Sequence, residues 1–137
     1  MMTFREEQLL KAHLPVEVDS VEVDATAEQV LEYLRVHKYM DADISGVTVT
    51  NSLLIVGMEF KKFIASGSDF HGGIQIKDCQ FVDDLSFERA YVSPVFKLEN
   101  IMVGSDLYLP QNLSHLVEEE IVCSDLRIRG KMIFSTP

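Results

Sequence analysis

Basic residues are scarce in this chain. Its 137 residues include 12 Lys and Arg against 22 Asp and Glu, which gives a formal net charge of −10 at pH 7. Free nucleic acids and anionic membranes are themselves negative, so this balance argues against both as partners. Residues 1–46 contain ten acids and four bases, so −6 of the charge lies in the first third of the chain.

Long apolar runs and cysteines are also rare. The longest uninterrupted apolar stretch, "LLIVGM" at 53–58, is too short to span a bilayer. The N-terminus contains acids and lacks a long apolar run, so we predict no secretory signal and a cytoplasmic location. Cys79 and Cys123 are far apart and have apolar neighbours, which predicts that both are reduced and buried. With 47% apolar residues, the chain has the composition and length of one folded domain.

Spacings typical of metal or catalytic sites are missing, and neither His-x-x-x-His nor Cys-x-x-Cys occurs. Asp69 and His71 in "SDFHGG" could form half of a metal or acid–base site, but two ligands do not fix a metal ion. A loop with turn residues is the simpler interpretation of this stretch. The sequence therefore predicts no cofactor, no metal and no catalytic residue.

The first 45 residues are predicted to form a cap of helices and one strand. Thr3 with Glu6, and Thr26 with Gln29, have the spacing of capping boxes at the start of two amphipathic segments. Between them, valines alternate with acids at 16–23, which is typical of a half-buried or edge strand. The apolar stripe of the second helix, predicted over 27–40, requires another surface to cover it.

The rest of the chain has an interrupted alternation. "IKDCQFVDDLSF" at 76–87 alternates apolar and polar residues, skips one position and alternates again. The same pattern fits four gapless segments: 47–60, 74–87, 96–109 and 121–134. Short strands separated by corners, each presenting alternate side chains inward, would produce this rhythm.

The four segments share six inward positions, and 23 of these 24 positions are apolar, with Ser52 as the exception. Stacked in register, Ile74 would lie on Phe96 and Phe81 on Val103. A polar residue that tolerates corner conformations precedes the third inward position in each segment: Asn51, Asp78, Asn100 and Asp125. We therefore predict a mainly β fold, a four-coil β-solenoid over 46–137 with the N-terminal cap over 1–45.

This pattern resembles the right-handed parallel β-helix, in the style of pectate-lyase-like and pentapeptide-repeat solenoids. The resemblance is to an architecture, since the five-residue period and a lyase motif are both lacking. "IKDCQFVDD" and "LENIMVGSD" also resemble leucine-rich repeats, with Asp84 and Asp106 at the Asn position. However, Leu85 and Phe87 follow too closely for that family's spacing.

A column of carboxylates is the main polar candidate. Stacking the segments places Asp83 beside Ser105 and Asp84 beside Asp106, with Lys131 ending the column. β-Helix enzymes that act on acidic polysaccharides gather carboxylates on an outer face, so a carbohydrate-active enzyme is one alternative. Solvated corner residues are the structural alternative.

An apolar patch is the main candidate interface. Leu53, Ile55, Val82 and Met102 are predicted to face outward, where they would need a cover. The predicted helix 27–40 or a second subunit could supply it. The chain is thus interpreted as a non-enzymatic binding or assembly module, with a protein partner or self-association expected and carbohydrate as a further candidate ligand. An acidic DNA-mimicking inhibitor is a third hypothesis. The acidic run "EEE" at 118–120 would discourage edge-to-edge docking at the last coil.

Overall fold

The computed structural model describes residues 2–14, 22–116 and 120–134. It is mainly β, with three parallel sheets, and two helices lie near the N-terminus. Sheet A consists of β1 (Val23–Ala25), β3 (Val47–Val49), β7 (Asp69–Phe70) and β10 (Tyr91–Val92). Sheet B consists of β2 (Ala42–Asp43), β6 (Phe63–Ile64), β9 (Leu85–Ser86), β12 (Leu107–Tyr108) and β14 (Met132–Ile133). Sheet C consists of β4 (Leu53–Val56), β5 (Glu59–Phe60), β8 (Ile74–Phe81), β11 (Phe96–Val103) and β13 (Ile121–Ile128).

Both predicted helix starts are confirmed. Helix α1 (Phe4–Lys11) begins with a capping box between Thr3 and Glu6, and α2 (Ala27–Val36) with one between Thr26 and Gln29. The Glu6 carboxylate accepts a hydrogen bond from the Thr3 amide, and its hydrogen bonds with the Thr3 backbone and side chain lower its pKa. Most of the predicted strand at 16–23 lies outside the described residues, and its last residue begins β1 at the end of sheet A.

The chain passes through the sheets in a regular order. From β3 to β12 it visits A, C and B in turn, so that each passage adds one parallel strand to every sheet, except that the first passage adds both β4 and β5 to sheet C. We call each passage a layer: β3 to β6, then β7 to β9, then β10 to β12. Before them, β1, α2 and β2 form a first layer in which α2 replaces a strand of sheet C. The last layer contains β13 and β14, and a 3-10 turn at Leu113–His115 precedes it.

The pairing of the long strands follows the predicted alignment. Ile74 pairs with Phe96 and Phe81 with Val103, while Phe96 also pairs with Ile121. In sheet B, Leu107 pairs with both Leu85 and Met132. The segments 74–87, 96–109 and 121–134 are therefore in the register that the spacing predicts.

The predicted register of the first segment, 47–60, on the segment 74–87 is wrong. Leu53 pairs with Ile74 and Ile55 with Ile76, whereas Val47–Val49 belongs to sheet A. Leu53 and Ile55 are fully buried, so their predicted outward placement is wrong; Leu54 and Val56 face outward and are about half exposed. The run "LLIV" is apolar at every position, and alternation therefore cannot show which of its side chains point inward.

The corners are built from residues that accept a left-handed backbone. Gly57, Asp78, Asn100 and Asp125 occupy one column, with φ of 68°, 56°, 54° and 53°. Asn and Asp tolerate this region better than most side chains, and Gly occupies it without strain. Asn100 Nδ2 donates to Asp78 Oδ1 at 2.9 Å, which links two layers at the corner. Asn51, the predicted member of this column, instead accepts a hydrogen bond from the Ala27 amide at 2.7 Å.

Phenylalanines from all three sheets meet in the interior. Their ring centroids lie 5.3 to 6.2 Å apart, and the rings belong to Phe60, Phe63, Phe70, Phe81, Phe87 and Phe96. All six side chains are at most 2% exposed. Rings at these distances add aromatic contacts to the area that they bury, so the centre of the stack is its most stable part.

The two ends of the stack differ. Helix α2 packs against β4, the end strand of sheet C, and buries Val30 and Leu34 completely. It therefore covers the end of the first strand layer, not the outer wall that was predicted, where Val82 and Met102 are 56% and 42% exposed.

None of the described helices is long and apolar enough to cross a membrane.

Candidate functional site

Asp69 and His71 lie close together on the surface. The Asp69 Oδ2 atom is 3.1 Å from His71 Nε2, and both side chains are about half exposed. Asp69 is held in β7, and the His71 amide donates to the Val49 carbonyl of the preceding layer. Among the described residues no group of three or more His, Cys, Asp or Glu side chains could hold a metal ion. The pair is thus an exposed contact beside a turn.

The carboxylate column is bonded to the backbone. Asp84 Oδ1 accepts from the Asp106 amide at 2.9 Å, and Asp106 Oδ1 accepts from the Lys131 amide at 2.8 Å. Asp83 is half-buried beside them, and its carbonyl accepts from the Ser105 amide. Carboxylates that satisfy corner amides of the next layer hold the corners together, which is the structural role that the sequence left open.

A cleft between the two helices contains Tyr33 and His37. It has a volume of about 390 Å³ and is also lined by Phe4, Glu7 and Lys11. The two rings stack at 3.9 Å, and His37 Nδ1 contacts the Tyr33 carbonyl at 2.8 Å. Burial raises the pKa of Tyr33 to about 12, so its hydroxyl stays protonated and donates to the Met2 carbonyl. The bond to the Met2 carbonyl and the contact between the Phe4 and Tyr33 rings, with centroids 5.5 Å apart, connect α2 to the N-terminal helix.

A shallow groove lies on the outer face of sheet C. It has a volume of about 420 Å³, and Val82 and Met102 form its exposed apolar part beside Arg127 and Arg129. Gly104 lies in this groove, where any Cβ would come within 1.9 Å of the Val82 carbonyl oxygen. Two of the four residues predicted for the interface are therefore on one exposed surface.

The last layer leaves its inward side chains uncovered. In the preceding layer Leu98, Ile101 and Val103 are at most 2% exposed. Their partners in β13 are Cys123, which is exposed, and Leu126 and Ile128, which are half-buried. The prediction that Cys123 is buried is thus wrong, and Ile128, which the pattern also places inward, is only half-buried, because no described layer follows them. Met132 and Phe134 are 41% and 70% exposed at the same end.

The thiols show the same contrast. Cys79, two layers earlier, is 1% exposed, and burial raises its pKa although the Met58 amide donates to its sulfur. Partial desolvation also raises the pKa of Cys123, although that residue is exposed. Both are free, and the raised pKa lowers the thiolate fraction of each at neutral pH.

The strand edges at this end are also unequal. Sheet A ends at β10, where the Asn112 side chain pairs with the backbone: its Oδ1 accepts from the Val92 amide at 3.0 Å and its Nδ2 donates to the Val92 carbonyl at 2.7 Å. Sheets B and C end at β14 and β13, and no described residue pairs with their outer edges. We call the surface formed by these two edges and their inward side chains the open end.

The open end is basic in an acidic protein. Residues 121–134 contain Arg127, Arg129 and Lys131 against a single acid, Asp125. All four side chains are exposed.

Sequence reasoning missed the open end because it treated all four segments as interior. The fourth segment has the same inward apolar row as the others, so its own residues give no signal of this exposure. Comparison of the chain with protein families, with curated proteins and with solved structures finds no match.

Proposed function

We propose that this protein is a non-enzymatic assembly module. It is a short β-solenoid closed at one end by a helix and joined to another protein chain at the other. The observation that carries the proposal is the open end, where apolar side chains and two unpaired strand edges lie together on the surface. Exposed strand edges readily pair with another chain, and repeat proteins require capping residues at their ends to prevent it.

The order of the strands supports the solenoid. Each passage of the chain through sheets A, C and B returns it directly above the residues of the previous passage, 21 or 22 positions earlier through the first three strand layers. The three sheets then form the sides of one coil, and the stacked inward rows form one core. The described stretch 46–116 contains a single 3-10 turn as its only helix, which favours this architecture over leucine-rich repeats.

The polar residues favour assembly over catalysis. A carbohydrate-active site built on Asp83, Asp84 and Asp106 would need carboxylates that face a substrate. Asp84 and Asp106 each use an oxygen to accept a backbone amide within the corner. The acidic DNA-mimicking inhibitor has no comparable observation in its favour, since the end that lacks a cover is basic.

Two methionines provide a matched test. Met132 at the open end and Met102 on the outer wall are 41% and 42% exposed, and both lie in strands. We expect Met132→Lys to abolish association, because it places a charge beside the strand edges that must pair. Met102→Lys should associate like the wild type. Molar mass is measured by light scattering across a range of protein concentrations.

A dye that fluoresces on apolar surfaces tests the case in which the partner is a different protein. Its binding reports whether the open end of the monomer is exposed. If the wild type is monomeric, the proposal still holds when dye binding is lost in Met132→Lys and retained in Met102→Lys. Equal behaviour of both variants and the wild type in both assays would overturn the proposal.

A further inference from the structure

The structure also points to what covers the open end. We infer that it is the same end of a second copy, related by a two-fold axis, so that β13 pairs antiparallel with β13 of the partner. This inference rests on the proposed assembly function and names the partner. Three observations carry it: the symmetry of the inward row, the position of the corner, and the charges beside them.

The inward positions of β13 are spaced symmetrically along the strand. Its inward residues are Ile121, Cys123, Leu126 and Ile128, since their partners in β11 are all buried in the core. Turned about a point between Ser124 and Asp125, this row falls on itself: Ile121 lies opposite the partner's Ile128, and Cys123 opposite the partner's Leu126. An antiparallel two-fold pair places directly opposite side chains on the same face, so every inward side chain meets an inward side chain.

The corner occupies the centre of the same row. Asp125 has φ of 53° and forms the bend within β13. Because the two-fold axis passes between Ser124 and Asp125, the corner residue of each copy lies opposite the partner's Ser124, so the two corners are adjacent and both arms of the strand remain in contact. A corner at any other position in the row would leave one arm without a partner.

The charges at the ends of the strand are complementary in this arrangement. Glu120 precedes β13 and Arg129 follows it. In the proposed pairing each Glu120 lies opposite the partner's Arg129, so this contact occurs twice in the dimer. Oppositely charged cross-strand neighbours favour a register, and like charges oppose it. Most of the acidic excess lies in residues 1–46, which include α2 at the far end of the stack. The acidic excess is therefore kept away from the interface, and the two Glu120–Arg129 contacts offset part of the repulsion between the two basic ends.

A charge swap tests the register. Arg129 is exposed and Glu120 is half-buried, so neither reversal empties the core. Glu120→Arg and Arg129→Glu should each raise the dimer Kd by roughly tenfold or more, since each creates two like-charge contacts per dimer. The double variant restores both opposite-charge contacts and should return to the wild-type Kd. Kd is measured by sedimentation equilibrium, and circular dichroism checks the fold.

A disulfide provides a second, independent readout. Leu126→Cys places a new thiol opposite the partner's Cys123, at the separation that directly paired antiparallel residues have and a disulfide requires. Mild oxidation with diamide should convert this variant to a covalent dimer that thiol reagents reverse. The wild type should stay uncrosslinked because its two Cys123 residues are not opposite each other. Met102→Cys, with its thiol on the outer wall, is the control.

The outcomes separate this inference from the proposed function. Rescue by the double variant together with crosslinking of Leu126→Cys supports the two-fold pair. If Met132→Lys abolishes association, but the double variant does not restore the Kd and Leu126→Cys does not crosslink, the two-fold pair is overturned. The proposed assembly function is unaffected by that result. A mass that keeps increasing with concentration indicates head-to-tail stacking and also overturns it.

Discussion

At the scale of single residues, the face of the strand on which a side chain lies determines whether that side chain is buried. Phe81 and Val82 are neighbours in sequence, yet they are 2% and 56% exposed because one points into the stack and the other away from it. Phe81 contacts the rings of Phe60 and Phe63, with centroids 6.0 and 5.8 Å away. Two adjacent apolar residues are thus expected to contribute very differently to stability.

This contrast gives the first stability prediction. Phe81→Ala removes a buried ring and leaves a cavity, and it should lower the free energy of unfolding by about 3–5 kcal/mol. Val82→Ala should change it by less than about 0.5 kcal/mol, as is usual for exposed positions. Chemical denaturation measures both, and similar losses from the two variants would contradict the inward placement of Phe81.

The sequence predicts which side chains point inward where apolar and polar residues alternate along a strand. It does not predict this where every residue of the strand is apolar. In β8 and β11 apolar and polar residues alternate on both sides of the corner, and the predicted register is the observed one. In 47–60 the predicted segment spans parts of two sheets and includes the uniformly apolar "LLIV", so no alternation fixes the register. Exposure at the open end depends on whether another layer follows, which no feature of β13 itself can show.

At the scale of elements, α2 takes the place of a strand. It lies between β1 and β2 in the chain, at the step where later layers place a strand of sheet C. Its first amide donates to Asn51 Oδ1 in the next layer, and the Tyr39 amide after its end donates to the Glu59 carbonyl at 2.7 Å. The helix is thus hydrogen-bonded to the layer that it covers at both of its ends.

The bond from Ala27 to Asn51 acts as an additional N-cap supplied by another layer. Asn51→Ala leaves one helix amide without this acceptor and should lower the free energy of unfolding by about 1 kcal/mol. Its exposed neighbour provides the control, since Ser52→Ala should have an effect near zero. Thermal and chemical unfolding measure the two variants side by side. A loss no larger than that of Ser52→Ala would show that the helix start does not depend on this contact.

At the scale of the whole molecule, the two cysteines report on opposite parts of the stack. Cys79 is enclosed between layers, whereas Cys123 lies on the last one. Both have raised pKa values, so a difference in their reactivity would reflect access to the sulfur.

Alkylation by iodoacetamide should therefore modify Cys123 in the native protein and Cys79 only after unfolding. The rate at Cys123 should fall as protein concentration rises, since pairing of the open ends covers it. Mass spectrometry of peptides at several concentrations measures both rates. A Cys123 rate that is independent of concentration, in a sample that does associate, would place the contact elsewhere.

The helix at the far end also determines how large an assembly can become. Two copies joined through their open ends would form a short rod with α2 on each tip, where it covers the end of sheet C and leaves the short outer edges of β1 and β2 beside it. Assembly would then stop at the dimer because the open end of each copy is already occupied, so a higher protein concentration would not produce larger species. A variant that kept the strands but lost α2 would have a reactive edge at both tips, which is the minimum that a polymerising subunit needs. If the proposed assembly holds, we expect the ten residues of α2 to limit its size by covering the sheet C edge at the far end.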